Sequence, residues 1–215
     1  MLHADAGCLA VDKPSGLLSV PGRGPDKQDC LATRVQAAYP DALVVHRLDQ
    51  GTSGVWLMAR GSAMQKALGL AFERREVSKR YVALVAGRMN PLHPPLHPTA
   101  RPDGWSLIDL PLAADWPRRP RQKIDAQMGR PSQTRWRVLE AFADHTRVEL
   151  EPLTGRSHQL RVHLMALGHP ILGDALYAPP QVQAMAPRLM LHASELSLVH
   201  PGTGQPLHLV APLPF

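Results

Sequence analysis

Apolar positions along the chain change period several times, and each change marks an element. The run VWLMA at 55–59 is apolar at every step, the pattern of a strand buried on both faces. It follows a shorter strand predicted at 43–45 and a polar turn at 46–52. From Ser62 the period lengthens: Met64, Leu68 and Phe72 fall on one face of a helix predicted from a Ser62 cap to about Arg74. Residues 29–39 carry Leu31, Val35 and Ala38 at the same spacing and stop before Pro40. SKRYVALVAG at 78–87 reads as a strand with a basic entrance. TRWRVLEAF and HTRVELEPL read as a hairpin turning around Ala143 and Asp144. A further helix is predicted to begin near Ser157, with Leu160, Leu164 and Leu167 on its apolar side and Gly168 at its end.

The two ends of the chain are strand-like. The opening CLAVDKPSGLLSVPGRG predicts a strand, a Pro-Gly turn, a second short strand and a loop. Near the C-terminus two strands are divided by PGTG. Residues 90–104 hold too many prolines for a regular element and are predicted as a surface loop. Many short strands, a few helices and no regular strand-helix alternation predict an α+β fold built on a sheet.

Composition narrows the possible partners. The 215 residues suffice for a substantial core, as one domain or one domain with two lobes. A formal charge of +6 favours an anionic partner. The two cysteines, Cys8 and Cys30, make neither a disulfide framework nor a paired-cysteine zinc site. No apolar run approaches the roughly 18 residues of a membrane span, and the N-terminus lacks the apolar stretch of a signal peptide, so the expectation is a cytoplasmic protein.

The chemistry concentrates in HRLDQGTSG, residues 46–54. Asp49 stands at the mouth of a buried strand, beside His46 and Arg47, and reads either as a structural ion-pair partner or as a carboxylate held for nucleophilic work. His158, His163 and His169 do not have metal-ligand spacing. Gly51 and Gly54 make no phosphate-binding loop and are expected to let the backbone turn closely behind Asp49.

Taken in order, VDKPSGLLSVPGR, HRLDQGTSG, KRYVALVAG, LTGRSHQLRVHLMALGHPILGD and RLMLHA resemble the RluA family of pseudouridine synthases over nearly the whole chain. The resemblance implies a mixed, mainly antiparallel central sheet with flanking helices, and a cleft between two lobes. It implies a cofactor-independent isomerase with no metal, and because the motifs begin almost at residue 8, no preceding S4-like domain is expected. Its substrates would be uridines of structured RNA, in large-subunit ribosomal RNA and/or the anticodon stem-loop of transfer RNA, with no membrane and no obligate protein partner. Asp49 matches the family's catalytic aspartate. Arg161 would pair with it, Tyr81 would contact the uracil, and Arg47 would enter the space left by a flipped base, with His46 in support. Arg156, Lys79 and Arg80 would contact RNA. Lys13, Arg23, Arg118, Arg119, Arg121 and Lys123, with Trp105 and Trp116, are further candidates for a basic RNA face, and a solvated surface is the alternative for that charge run. An inactive RNA-binding protein retaining the same residues is the competing functional reading.

Overall fold

The computed structural model describes residues 1–89 and 104–215. The elements in chain order are β1 (His3–Ala4), β2 (Cys8–Lys13), α1 (Leu31–Ala38), β3 (Ala42–Val44), β4 (Ser53–Arg60), α2 (Gly61–Glu73), β5 (Ser78–Ala86), β6 (Ser106–Asp109), β7 (Leu112–Ala114), β8 (Gln122–Ile124), β9 (Gln133–Ala141), β10 (His145–Pro152), α3 (Gln159–Ala166), α4 (Pro180–Gln183), β11 (Leu191–Val199) and β12 (Pro206–Val210). The chain divides into two compact units, one of Met1–Lys79 with His192–Phe215, the other of Arg80–Leu191. Most of the predicted loop at 90–104 lies outside the described residues.

In the first unit the strands run in the order β1, β2, β4, β11, with β3 also on β4 and β12 also on β11. All pairs are antiparallel except β4 with β11, so the sheet is mixed. Seven of the eight β4 residues are buried, as its unbroken apolar run requires. Leu68 and Ala71 of α2 close one side of this core against Cys8, Ala10, Val55 and Leu57, with Met64 and Phe72 packed beside them. The helical face predicted from Met64, Leu68 and Phe72 is therefore core.

The second unit is an antiparallel run β5, β10, β9, β6, with β7 and β8 paired apart from it. Strand β10 alternates strictly. Thr146, Val148, Leu150 and Pro152 are buried, and Leu150 and Val148 share a core with Leu160 and Leu164 of α3. Its other face presents Arg147, Glu149 and Glu151 to Glu140, Arg137 and Arg135 of β9.

Three local expectations change. The second short strand of the opening segment does not form, because the Leu18 and Ser19 carbonyls accept the first N–H groups of α1, from Leu31 and Ala32. Ser62 lies inside α2, and the start of that helix is fixed instead by the Gly61 N–H on the Asp41 carbonyl. α3 begins at Gln159 after His158, whose φ of 54° is left-handed, so Ser157 stands outside it. Gly168, at φ 82°, ends that helix as expected, its N–H donating to Met165.

Candidate active site

Asp49 sits in a turn that the opening motif holds from outside. Its carbonyl accepts the Thr52 N–H at 3.0 Å, and both of its neighbours are fastened. On one flank the Ser19 hydroxyl donates to the Leu48 carbonyl at 2.8 Å and accepts the Leu48 N–H at 3.1 Å. On the other, the Gln50 carbonyl accepts the Gly16 N–H at 2.8 Å and the Lys13 ammonium at 3.0 Å, while the Gln50 amide donates to Gly16 and the Ser15 hydroxyl to the Gly51 carbonyl. The KPSGLLS segment is thus a cradle for the Asp49 turn.

Lys13 changes its role. Its sequence pattern placed it on a basic RNA face, yet its side chain is fully buried, and its ammonium also donates to the Pro14 and Leu17 carbonyls at 2.9 and 2.6 Å. Burial pushes its pKa down to about 8, while the negative charge of Asp49 works the other way. The cation is a fixed positive charge behind the turn, out of reach of RNA.

His46 is likewise engaged by the fold. Its carbonyl accepts the Trp56 indole N–H and its Nε2 accepts the Leu57 N–H, both at 3.0 Å, while its ring stacks on Phe72 at 4.7 Å. Burial, and then the charge of Lys79, push its pKa down to about 3. A neutral imidazole accepting a backbone N–H anchors the entrance of the turn; it is not a cation offered to phosphate. Arg47 next to it is exposed. Lys79 is half-buried, and burial together with the Arg75 charge lowers its pKa, so positive groups crowd there.

Gly54 serves a contact other than the one expected. It lies in β4 with φ 109°, and a Cβ built on it would stand 2.2 Å from the Ala193 carbonyl oxygen of the parallel neighbour β11. The glycine lets two strands meet just past the turn.

In the second unit Arg161 projects from α3 and is held in a bidentate clamp by Asp174, Nε to Oδ2 at 2.8 Å and NH2 to Oδ1 at 2.7 Å. Both side chains are buried. Asp174 also accepts the Leu176 and Tyr177 N–H groups, and the Tyr177 ring lies under the guanidinium at 5.0 Å. The Tyr177 hydroxyl hydrogen-bonds His158 Nδ1 at 2.7 Å and accepts the Gln122 N–H at 2.8 Å, tying α3 to β8. Asp174 and Tyr177, which hold Arg161, are residues that the linear motifs did not single out. Their signal is the spacing D-x-L-Y, a carboxylate able to accept the amides two and three residues on.

Tyr81 of β5 is half-buried at the edge of the core that includes Leu150, its cross-strand partner. Arg80 points to the opposite face, where it pairs with Glu151 at 3.4 Å and lies over Trp105 at 4.6 Å, alongside Arg135 and Arg137. Arg156 is half-buried, and its Nε has no partner among the described residues.

Among the described residues, one other cluster resembles a metal site. His3 Nε2 lies 2.8 Å from Asp5 Oδ2, with Cys8 Sγ at 3.9 Å and His200 Nε2 at 3.4 Å from the same oxygen. The donor set argues for a structural hub. Asp5 Oδ1 already accepts the Gly7 and Cys8 N–H groups. His200 Nδ1 accepts the Gly202 and Thr203 N–H groups, which leaves the proton on Nε2, facing the carboxylate. Burial and the Asp5 charge push the Cys8 thiol up to about 12, far from the thiolate a metal needs.

Comparison with known proteins gives the family. Residues 7–166 match the family model described as RNA pseudouridylate synthase. The chain is 49% identical over 216 residues to the dual-specificity RNA pseudouridine synthase RluA of Escherichia coli K12, covering 100% of this chain and 93% of that protein. It is 49% identical over 209 residues to the RluA protein of Yersinia pestis, covering 97% and 96%. Among solved structures, human RNA pseudouridylate synthase domain containing 1 superposes with a TM-score of 0.76 at 29% identity, covering all of this chain and 83% of that one. The mixed sheet with its flanking helices, the cradled Asp49 turn and this likeness along the whole length lead to one assignment: the chain belongs to the RNA pseudouridylate synthase family.

Proposed function

We propose that the protein isomerises specific uridines of ribosomal and transfer RNA to pseudouridine, in the cytoplasm and without a cofactor, and that Asp49 carries the essential step. The reaction breaks the bond between ribose C1′ and uracil N1, turns the base and rejoins C1′ to C5. In one route a carboxylate oxygen bonds to C1′ as the C1′–N1 electron pair leaves with the uracil; C5 then takes C1′ back and releases the carboxylate. In the other the carboxylate removes the C2′ proton as uracil leaves, and later returns it. Both end with the C5 proton lost and N1 protonated, and both use one positioned carboxylate. The observation that carries the assignment is the fastening of Leu48 and Gln50 on either side of Asp49 by Ser19, Gly16 and Lys13. A carboxylate whose main chain is held on both flanks meets its substrate already ordered.

The remaining roles follow the family motifs. Arg161 orients the carboxylate and Tyr81 contacts the uracil face. Arg47, exposed beside the turn, holds the flipped nucleotide, and Arg156 contacts phosphate, with Lys79 adding charge. His46 and Arg80 are proposed in supporting roles only, because the fold engages both. One domain with two lobes, covering residues 1–215, carries the activity.

The test is pseudouridine formation on transcribed ribosomal RNA fragments and a transfer RNA pool, with wild type and Asp49→Ala. Site-specific product from wild type and none from the variant is the expected result. RNA binding by both proteins with product from neither would favour the inactive RNA-binding reading, and equal product would remove Asp49 from the mechanism.

A further inference from the structure

The connection between β7 and β8 holds an unusual tryptophan. Trp56, Trp105 and Trp136 are 0, 6 and 7% exposed, whereas Trp116 is 66% exposed. A large apolar ring left in water at a hairpin tip adds little to the core. Its surroundings are ordered nonetheless. Asp115, itself buried, accepts the Arg118 guanidinium at 2.7 Å, and backbone bonds close the turn from Asp115 to Arg121 and from Arg118 to Asp115. The hairpin root is anchored, with Leu112 and Ile124 packed against Tyr177 and Val162, and the Gln122 N–H on the Tyr177 hydroxyl.

The Arg119 guanidinium lies 4.0 Å from the centre of the Trp116 ring, a close cation-π contact that holds the indole in place. From Asp115 to Asp125 the segment carries Arg118, Arg119, Arg121 and Lys123 against two acids, Asp115, paired with Arg118, and Asp125, paired with Lys123 at 3.0 Å. An apolar protein patch docking here would have to strip water from several cations, and a membrane would meet too little apolar surface. A flat, weakly polar ring with a phosphate on either side fits both the indole and the charges.

We propose that Trp116 is a stacking platform for an unpaired base of the substrate RNA, outside the reacting uridine, with Arg119 fixing the indole and Arg121 meeting a flanking phosphate. This rests on the RNA reading above and adds to it a contact that acts in binding, away from the reacting atoms.

The experiment compares wild type, Trp116→Ala, Trp116→Tyr and Arg119→Ala on a stem-loop RNA that wild type modifies, with circular dichroism to verify folding. Trp116→Ala should raise KM and the RNA Kd roughly 10-fold or more, while turnover at saturating RNA changes less than twofold. Trp116→Tyr should restore most of the affinity, and Arg119→Ala should give an intermediate loss. The loss should vanish when binding is measured on a fully paired duplex. Unchanged KM in Trp116→Ala, or an equal loss on duplex, would overturn the platform. A wild type that forms no pseudouridine on any RNA, while Trp116→Ala still weakens binding, would leave the platform standing and remove the catalytic assignment instead.

Discussion

At the scale of single residues, one buried charge holds another still. Arg161 is nearly fully buried, and Asp174 meets it with two aligned hydrogen bonds while its own carboxylate is filled by the Leu176 and Tyr177 amides. Replacing one member of such a pair leaves a buried charge poorly compensated and costs about 3–5 kcal/mol. Asp174→Asn preserves shape but removes the charge, so we expect a loss toward the lower end of that range in urea unfolding. If Arg161 acts in the reaction, the proposed role also predicts that turnover at saturating RNA falls by roughly a factor of ten or more, with KM for RNA nearly unchanged. Asp174→Glu should recover less than half of either loss, since the longer side chain displaces the guanidinium. A stable, fully active Asp174→Asn would show that the clamp is dispensable.

At the scale of elements, the parallel meeting of β4 and β11 makes the most exacting demand on a single side chain. Gly54 has both a left-handed φ and no room for a Cβ against the Ala193 backbone. Gly54→Ala therefore combines conformational strain with overpacking and is expected to destabilise the fold by about 3 kcal/mol, read as a lower denaturant midpoint. A midpoint equal to wild type would mean that the strands can part freely. This position also shows what the linear pattern can and cannot reveal. Periodicity located β4, α2, β5 and the β9–β10 hairpin because each buries a face whose spacing is written in consecutive residues. The glycine was legible as a tight place but not as a strand-to-strand contact, since its partner lies 139 residues away. For the same reason Lys13 read as a surface cation: the carbonyls that bury it come from the Gln50 turn as well as from its own loop. Asp49 stands out in the sequence through its motif, whereas the D-x-L-Y spacing of Asp174 marks only its local turn, and its clamp on Arg161 shows only in three dimensions.

At the scale of the whole molecule, neutral histidines make stability depend on mild acid. His163 is fully buried, with Nδ1 accepting from the Thr134 hydroxyl and Nε2 donating to the Leu110 carbonyl. Burial pushes its pKa down to about 4, against smaller opposing effects of the Leu110 carbonyl and the Asp109 charge. His46 behaves alike, with Lys79 reinforcing burial. In the unfolded chain both rings take up a proton near 6.5. Between that value and about 4 the unfolded state holds more protons than the folded one, so the stability these rings contribute is complete above about pH 6.5 and is lost as pH falls. Each can contribute a slope of at most about 1.4 kcal/mol per pH unit. Lys13, with its folded pKa lowered to about 8, adds a separate rise in stability between about pH 8 and the unfolded value near 10.5. Urea unfolding of wild type and His163→Gln at half-unit steps from about pH 4.5 to 7.5 separates the contributions. The variant should be less stable at the upper end of that range yet show a visibly shallower decline on acidification, since the resisting imidazole of His163 is gone while the amide can still serve as donor or acceptor. Parallel curves for the two proteins would place the acid sensitivity elsewhere and remove His163 from the account.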